Sequence, residues 1–502
     1  MNLIQGWKGF LLSVMSGAAL VLAFAPFKFW FVAPLSLAAF FLLLLPVSAG
    51  AAAWRGYGFG LGLYGAGVSW VYVSLSTFGG MPLWMGSIAV LGFASLLAGF
   101  IAVMSYLVAR LFPARSWYRF LVLPVIWIVF EWLKSWVLTG FPWLDIGYTV
   151  VDTWLAAWAP IGGIYLVSFL VAALAAALAA SLLYRSRSAM LVLPMIVFAS
   201  WLVNMVDWSE PSPYALKVGV IQANVSIDEK WEPDYRRAVI DNYRSVLRAL
   251  KDQQKVDLVV LPETAIPMHL QYLDLGFWES LVPQGTAVLA GVIDTPSLLT
   301  EPSNFDESYN AAFFTCGQTE PLQVYRKRHL VPFGEYLPLR FLFQWVLDYL
   351  NLPMSDFSAW QGDQALSCGD QIKVGLSICY EDAFANEYRQ SLGAATVLVN
   401  ISEDAWFGDS FAPHQRLQMA QMRARELARP MVRSANSGPS AFIDYRGRIE
   451  SISGQFAPAT LVQYVQPQTG TTWFLRFGNW FVYVMLALLG VIGLRQWARR
   501  AS

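Results

Sequence analysis

Three short segments carry residue types that together can perform acyl transfer. In Leu261-Pro262-Glu263-Thr264-Ala265, an apolar run, VDLVVL, delivers Glu263 at its end. Carboxyl ends of strands are where α/β sheets place catalytic groups. In Tyr325–Tyr336, YRKRHLVPFGEY, the basic cluster around Lys327 abuts an apolar Pro-Gly turn and Glu335, which a plain solvated run would not need. In Lys373–Glu381, KVGLSICYE, Cys379 closes an apolar strand and opens a helix. A helix N-terminus favours the thiolate over the thiol. Each segment alone has a bland reading: a solvated glutamate, a solvated basic face, an inert core cysteine. Together they supply a nucleophile (Cys379), a base to take its proton (Glu263) and a cation to stabilise an oxyanion (Lys327). A Cys-His arrangement would have to recruit His329 or His414 without a matching motif, and the three histidines, at 269, 329 and 414, show no metal-ligand spacing.

The elements that must hold these groups follow from periodicity. Residues 216–224, 256–261, 287–293, 309–315, 322–325, 373–378, 396–401, 431–435, 441–445 and 459–465 read as strands. Residues 234–253 form a helix with Val239, Ile240, Tyr243, Val246, Leu247 and Leu250 on one face, and further helices fit 381–391 and 413–428. Strands interleaved with helices predict a layered α/β domain. Residues 332–362 break the pattern. Leu339, Phe341, Leu342, Phe343, Trp345, Val346, Leu347, Tyr349 and Leu350 form an apolar excursion too short to span a bilayer. It reads either as an arm dipping into a membrane interface or as a packed subdomain helix.

The rest of the chain is of another character. Of 502 residues, 56% are hydrophobic and only 14% charged, against about 25% in ordinary soluble proteins. Residues 1–206 hold 12 charged side chains, nine of them basic; the other 56 charges follow Met205. Lys+Arg and Asp+Glu balance at 34 each, so nothing argues for nucleic acid. A span needs about 20 apolar residues. Candidates lie at about 9–25, 31–49, 57–75, 84–110, 118–138, 157–183, 190–206 and 478–495. With a cytoplasmic N-terminus, the inner loops collect Lys8, Arg55, Arg110, Arg115, Arg119, Arg185 and Arg187, and the tail adds Arg495, Arg499 and Arg500. This predicts a seven-span bundle over 1–206, an extracytoplasmic catalytic domain over 207–477, and a last span with a basic cytoplasmic tail over 478–502. Trp70, Trp84, Trp143, Trp154 and Trp158 fit an aromatic belt at outer helix ends. Glu131 and Lys134 are spaced to pair on one helix face. The 471–481 stretch reads as an interfacial lead-in to the last span.

The order Glu263, Lys327, Cys379 with these motifs resembles the nitrilase superfamily, whose fold is an α-β-β-α sandwich and whose triad is Glu-Lys-Cys. The eight spans and the run HLVPFGEYLP narrow the resemblance to the apolipoprotein N-acyltransferase family of bacterial inner membranes, over essentially the whole length. Lys230-Trp231-Glu232-Pro233, Ser377-Ile378-Cys379-Tyr380-Glu381, Asn400 through Gly408 (NISEDAWFG) and Arg433 through Gly438 (RSANSG) match as well. The resemblance implies catalytic Glu263, Lys327 and Cys379. It also implies Glu335 and Glu381 orienting Lys327, and Trp231 and Tyr380 shaping an acyl pocket or holding loops. The simpler alternatives are core aromatics for Trp231 and Tyr380 and a Glu335–Arg328 ion pair. It implies no metal or other cofactor, a phospholipid acyl donor, a diacylated apolipoprotein acceptor, and a membrane location. Cys316 and Cys368 lie outside the family pattern; a disulfide between them suits an oxidising compartment and stays open. A membrane-tethered nitrilase-type amidohydrolase, or a transporter or scaffold with a degenerate domain, are the rival readings.

Overall fold

The computed structural model describes residues 6–44, 47–112, 117–227, 229–299, 307–317, 321–338, 340–341, 356–362 and 364–501. The chain folds into two units. One comprises Met1–Asp207, Asp409–Gln418 and Thr472–Ser502; the other comprises Trp208–Gly408 and Met419–Thr471.

The first unit is helical. Among the described residues, eight helices of 13 or more residues occupy the eight expected apolar stretches: Trp7–Leu20, Val32–Leu44, Ala49–Gly67, Leu83–Leu111, Trp117–Lys134, Ala159–Tyr184, Arg187–Val203 and Trp480–Ala501. Among the described residues, two segments are sufficient by length and composition to cross a membrane, Leu83–Leu111 and Trp154–Tyr184. The shortfall of the others has physical causes. Seventeen residues, as in Arg187–Val203, rise only ~26 Å against a hydrocarbon core of ~30 Å. Trp117–Lys134 carries Arg119, Glu131 and Lys134.

Two expectations for this unit are corrected. Lys134 does not pair with Glu131. Its Nζ meets Asp145 Oδ1 at 2.9 Å with both side chains buried, while Glu131 Oε1 accepts from Trp127 Nε1 and the Ile146 N–H, each at 2.8 Å. A long-range partner outcompetes the local one because the chain doubles back at 140–146. Nor do all five tryptophans form a belt. Trp84 and Trp154 are exposed, but Trp143 is fully buried, donating to Gln415 Oε1 and packing against buried Trp70 at 4.9 Å.

Among the described residues, the second unit is a sandwich of two six-stranded sheets. The first sheet runs in the order Ala459–Val465, Leu216–Gln222, Leu258–Val260, Ala287–Asp294, Tyr309–Thr315, Gln323–Arg326. The second runs Ile449–Ile452, Ala441–Ile443, Met431–Ala435, Val397–Ser402, Ile372–Ile378, Leu366–Cys368. Each contains three adjacent parallel strands: 216–222, 258–260 and 287–294 in the first, 372–378, 397–402 and 431–435 in the second. Period-two alternation explains the layering. Leu216, Val218 and Val220 from one sheet and Val374, Leu376 and Ile378 from the other fill a single apolar layer between the sheets. The opposite face of the first sheet packs Ile221 and Val259 against Ile240, Tyr243 and Leu247 of helix Pro233–Ala249. On the second sheet, Tyr388 of helix Ala385–Ser391 donates to the Gly375 and Val399 carbonyls. The result is the expected α-β-β-α order.

Cys316, just past strand 309–315 of the first sheet, is disulfide-bonded to Cys368 in an edge strand of the second. Of the 332–362 stretch, Leu339 and residues 342–355 lie outside the described residues. Its two ends are seen. Phe333 and Phe341 are exposed, and on the return the Phe357 and Trp360 N–H groups donate to the Glu335 and Lys327 carbonyls at 2.9 and 3.0 Å.

Candidate active site

Glu263 stands just beyond the carboxyl end of strand Leu258–Val260. The chain here is held against its neighbour: the Leu261 N–H donates to the Leu289 carbonyl at 2.8 Å and the Gly291 N–H to the Pro262 carbonyl at 3.1 Å. Gly291 is required by this approach, because a Cβ there would overlap the Thr264 nitrogen and lie 2.7 Å from the Glu263 backbone. Cys379 occupies the corresponding place beyond strand Ile372–Ile378. Its φ of 51° is the left-handed conformation, uncommon outside glycine, and turns the chain sharply off the strand into a helical turn. The thiol is buried and takes no part in the disulfide. Lys327 follows the edge strand Gln323–Arg326 and is fixed at its backbone, its N–H donating to the Asn310 carbonyl at 2.9 Å.

Glu263 and Lys327 join one buried polar network, and the Cys379 thiol lies close enough to bear electrostatically on Lys327. Lys327 Nζ donates to Glu335 Oε1 at 2.9 Å, lies 2.8 Å from Glu335 Oε2, and lies 3.8 Å from Glu263 Oε1. The Asn310 amide bridges the two carboxylates, its Nδ2 donating to Glu263 Oε1 at 2.7 Å and Glu335 Oε1 at 2.6 Å. Glu263 Oε2 accepts the Glu403 N–H at 2.8 Å. Burial alone would lower the Lys327 ammonium; Glu335, Glu263 and Cys379 outweigh it and hold it above the ordinary lysine value. Lys327 is therefore a buried cation held near the thiol.

Glu381 ties the Cys379 segment to the Lys327 segment. Its Oε2 accepts from the Ile378 N–H at 2.7 Å and Tyr325 Oη at 3.0 Å, and its Oε1 from the Arg328 N–H at 2.6 Å and the His329 N–H at 3.3 Å. Burial pushes its carboxyl up, against the pull of those donors and of Lys327. Tyr380 is buried edge-on to Phe384 at 4.9 Å, and burial pushes its hydroxyl up.

Of the seven expected residues, Glu263, Lys327 and Glu335 form this network, Glu381 braces the adjoining backbone of the Lys327 and Cys379 segments, and Cys379 and Tyr380 are buried nearby. Glu335 binds Lys327 in place of the alternative partner Arg328. Trp231 is 46% exposed, so it is no core aromatic; its neighbour Lys230 is the one that turns inward, to Glu403 at 2.6 Å. Sequence reasoning missed Asn310 and Glu403. An asparagine in the otherwise apolar strand YNAAFFT was the available signal for the first.

Residues 16–177 match the family described as "Apolipoprotein N-acyltransferase N-terminal domain", and residues 217–473 match "Carbon-nitrogen hydrolase". The chain is 38% identical to a protein of Methylococcus capsulatus named apolipoprotein N-acyltransferase, over 99% of this chain and 97% of that one. Proteins of the same name in Pseudomonas putida and Vibrio parahaemolyticus are 37% and 35% identical, covering 96% and 94% of both chains. The chain belongs to the apolipoprotein N-acyltransferase family. As a member of that family it is a membrane acyltransferase of lipoprotein biosynthesis with a carbon–nitrogen hydrolase domain.

Proposed function

We propose that this apolipoprotein N-acyltransferase moves the sn-1 acyl chain of a phospholipid, through a thioester on Cys379, to the N-terminal amine of S-diacylglyceryl-cysteine on an apolipoprotein. The observation that carries this reading is the convergence of Glu263, Lys327 and Cys379 in one buried site, with Lys327 held charged. Glu263 takes the Cys379 Sγ proton as the sulfur attacks the ester carbonyl. The developing oxyanion forms beside Lys327, whose ammonium is already in place and needs no reorganisation. Collapse breaks the ester C–O bond, and Glu263 returns the proton to the departing lysophospholipid alkoxide. The acceptor amine then attacks the thioester, Glu263 takes the amine proton and delivers it to the leaving thiolate, and an amide remains.

The proposal extends to topology. Eight spans in the inner membrane, both termini cytoplasmic, and a catalytic unit on the periplasmic side fit the charge bias of the short loops. The Cys316–Cys368 disulfide supports an oxidising compartment for that unit. A membrane site also avoids drawing acyl chains into water, which costs ~0.8 kcal/mol per CH₂.

The test is the intact mass of the detergent-purified protein after incubation with phospholipid and no acceptor. The expected result is a gain of one acyl chain that hydroxylamine removes and that Cys379→Ala abolishes. No gain with any phospholipid would refute the thioester route.

A further inference from the structure

Three motifs that lie far apart in the sequence meet beside Glu263. Lys230 comes from the loop after the first-sheet strand Leu216–Gln222. Glu403 comes from the end of strand Val397–Ser402, and Asn436 from the end of strand Met431–Ala435. Glu403 Oε2 lies 2.6 Å from Lys230 Nζ, with both side chains 7% exposed. Asn436 Nδ2 sits 3.0 and 2.9 Å from the two Glu403 carboxylate oxygens. Asn436 also accepts the Val225 N–H at 3.0 Å and donates to the Val225 carbonyl at 2.7 Å, tying the loop that carries Lys230 to the same point. The Glu403 peptide, anchored in this way, gives its N–H to Glu263 Oε2.

We propose that Lys230, Glu403 and Asn436 form a positioning device for Glu263, fixing its carboxylate through the Glu403 peptide and setting the charge it faces. This rests on the reading of Glu263 as the general base. Two of the three groups are charged, and a buried ion pair is costly to desolvate; a hydrophobic pair would fill the space as well. What the ions add is a field at Glu263. Glu403 brings a negative charge near the base, and Lys230, paired with Glu403 at 2.6 Å, offsets it. Among the described residues, the charged groups placed against Glu263 are Lys327, Glu335 through the Asn310 bridge, and Glu403. Facing Glu403 are Lys230, Glu263 and, from helix Pro233–Ala249, Tyr243. Burial pushes the Glu403 carboxyl up, Lys230 and Asn436 pull it down, and Glu263 pushes it up again; burial and Glu403 together push the Tyr243 hydroxyl up.

Glu403→Gln keeps the peptide donor and a side-chain acceptor for Lys230 while removing the negative charge. Lys230→Gln/Glu403→Gln removes both charges. The full-length protein in detergent micelles with a palmitoyl-oleoyl phospholipid gives single-turnover acylation of Cys379, followed by intact mass across the pH range of the acidic limb. Glu403→Gln leaves Lys230 uncompensated near the base, so its limb moves down by about one pH unit. Well below the wild-type midpoint it then runs about tenfold closer to its own plateau than wild type does. The double variant falls between the two, since the nearer negative charge is gone but the positive one has gone with it. If Glu403→Gln does not fold, the double variant alone must still lie below wild type. Limbs that coincide, or shift upward, overturn the inference while leaving the base assignment intact. A wild type that forms no acyl-enzyme at any pH overturns the general-base reading, and this inference with it.

Discussion

Glu381→Gln tests whether the nucleophile and the oxyanion cation are held in register by one carboxylate. Glu381 receives four donors: Ile378 N–H and Tyr325 Oη on one oxygen, Arg328 N–H and His329 N–H on the other. Glutamine keeps one acceptor oxygen and turns an NH₂ toward the other pair. Turned toward Arg328 and His329, the NH₂ strands two backbone N–H groups; turned toward Ile378 and Tyr325, it strands only the Ile378 N–H, because the tyrosine hydroxyl rotates to accept. The second orientation is the milder, and one buried donor left unsatisfied costs about 1–3 kcal/mol. If that loss falls on the alignment of Cys379 with Lys327, acylation slows by about 5- to 150-fold. The assay is single-turnover acylation beside thermal unfolding, with Tyr325→Phe as the milder comparison, which removes one bond and should cost about tenfold or less. A Glu381→Gln rate within about threefold of wild type, in a folded protein, would refute the strut.

Gly291→Ala forces a Cβ into the backbone of Glu263 and Thr264; acylation should fall at least about tenfold with destabilisation of about 1–3 kcal/mol, read by kinetics and denaturant unfolding together. Cys316→Ser/Cys368→Ser opens a cross-link spanning 52 residues, a loop that includes Lys327 and Glu335, and chain entropy predicts a loss of about 4 kcal/mol in chemical denaturation. Lys327 is held above its ordinary value, so its contribution is fully present below the unfolded lysine pKa and is lost only as pH rises through the folded one. The stability difference between wild type and Lys327→Met should therefore be the same at about pH 6 and about pH 9; a difference that shrinks between them contradicts the assignment.

The strands of the sandwich were legible because each is a short, continuous or alternating apolar run bounded by turn residues. Tyr309–Thr315, Met431–Ala435 and Ala459–Val465 fall where the periodicity placed them. Ile449–Ile452 and Leu366–Cys368 were missed because edge strands expose one face and mix polar residues with few apolar ones. At the site, local motifs revealed groups at strand ends but not the partners that distance in sequence conceals. Glu335 near Lys327 was readable because eight residues separate them. The Asn310 bridge and the Glu403–Glu263 hydrogen bond, which link segments 25 to 140 residues apart, were not. The same blindness misassigned Lys134, whose true partner lies beyond the next turn, and Trp143, whose indole is spent on Gln415.

The two sheets do not share the proposed catalytic groups evenly. Glu263 and Lys327 leave the first sheet, Cys379 the second, and between the sheets lies one apolar layer of valines, leucines and isoleucines. The thickness of that layer is thus a spacer between acid–base chemistry and sulfur. Close-packed interiors do not compress, so a methylene added between Val260 and Leu376 has to be accommodated by separating the sheets or tilting them. Side chains that never approach a substrate would then be tuned for reach as much as for stability. Drift in core volume, tolerated in most enzymes so long as the fold survives, would here be felt first as a mis-set gap between base and nucleophile.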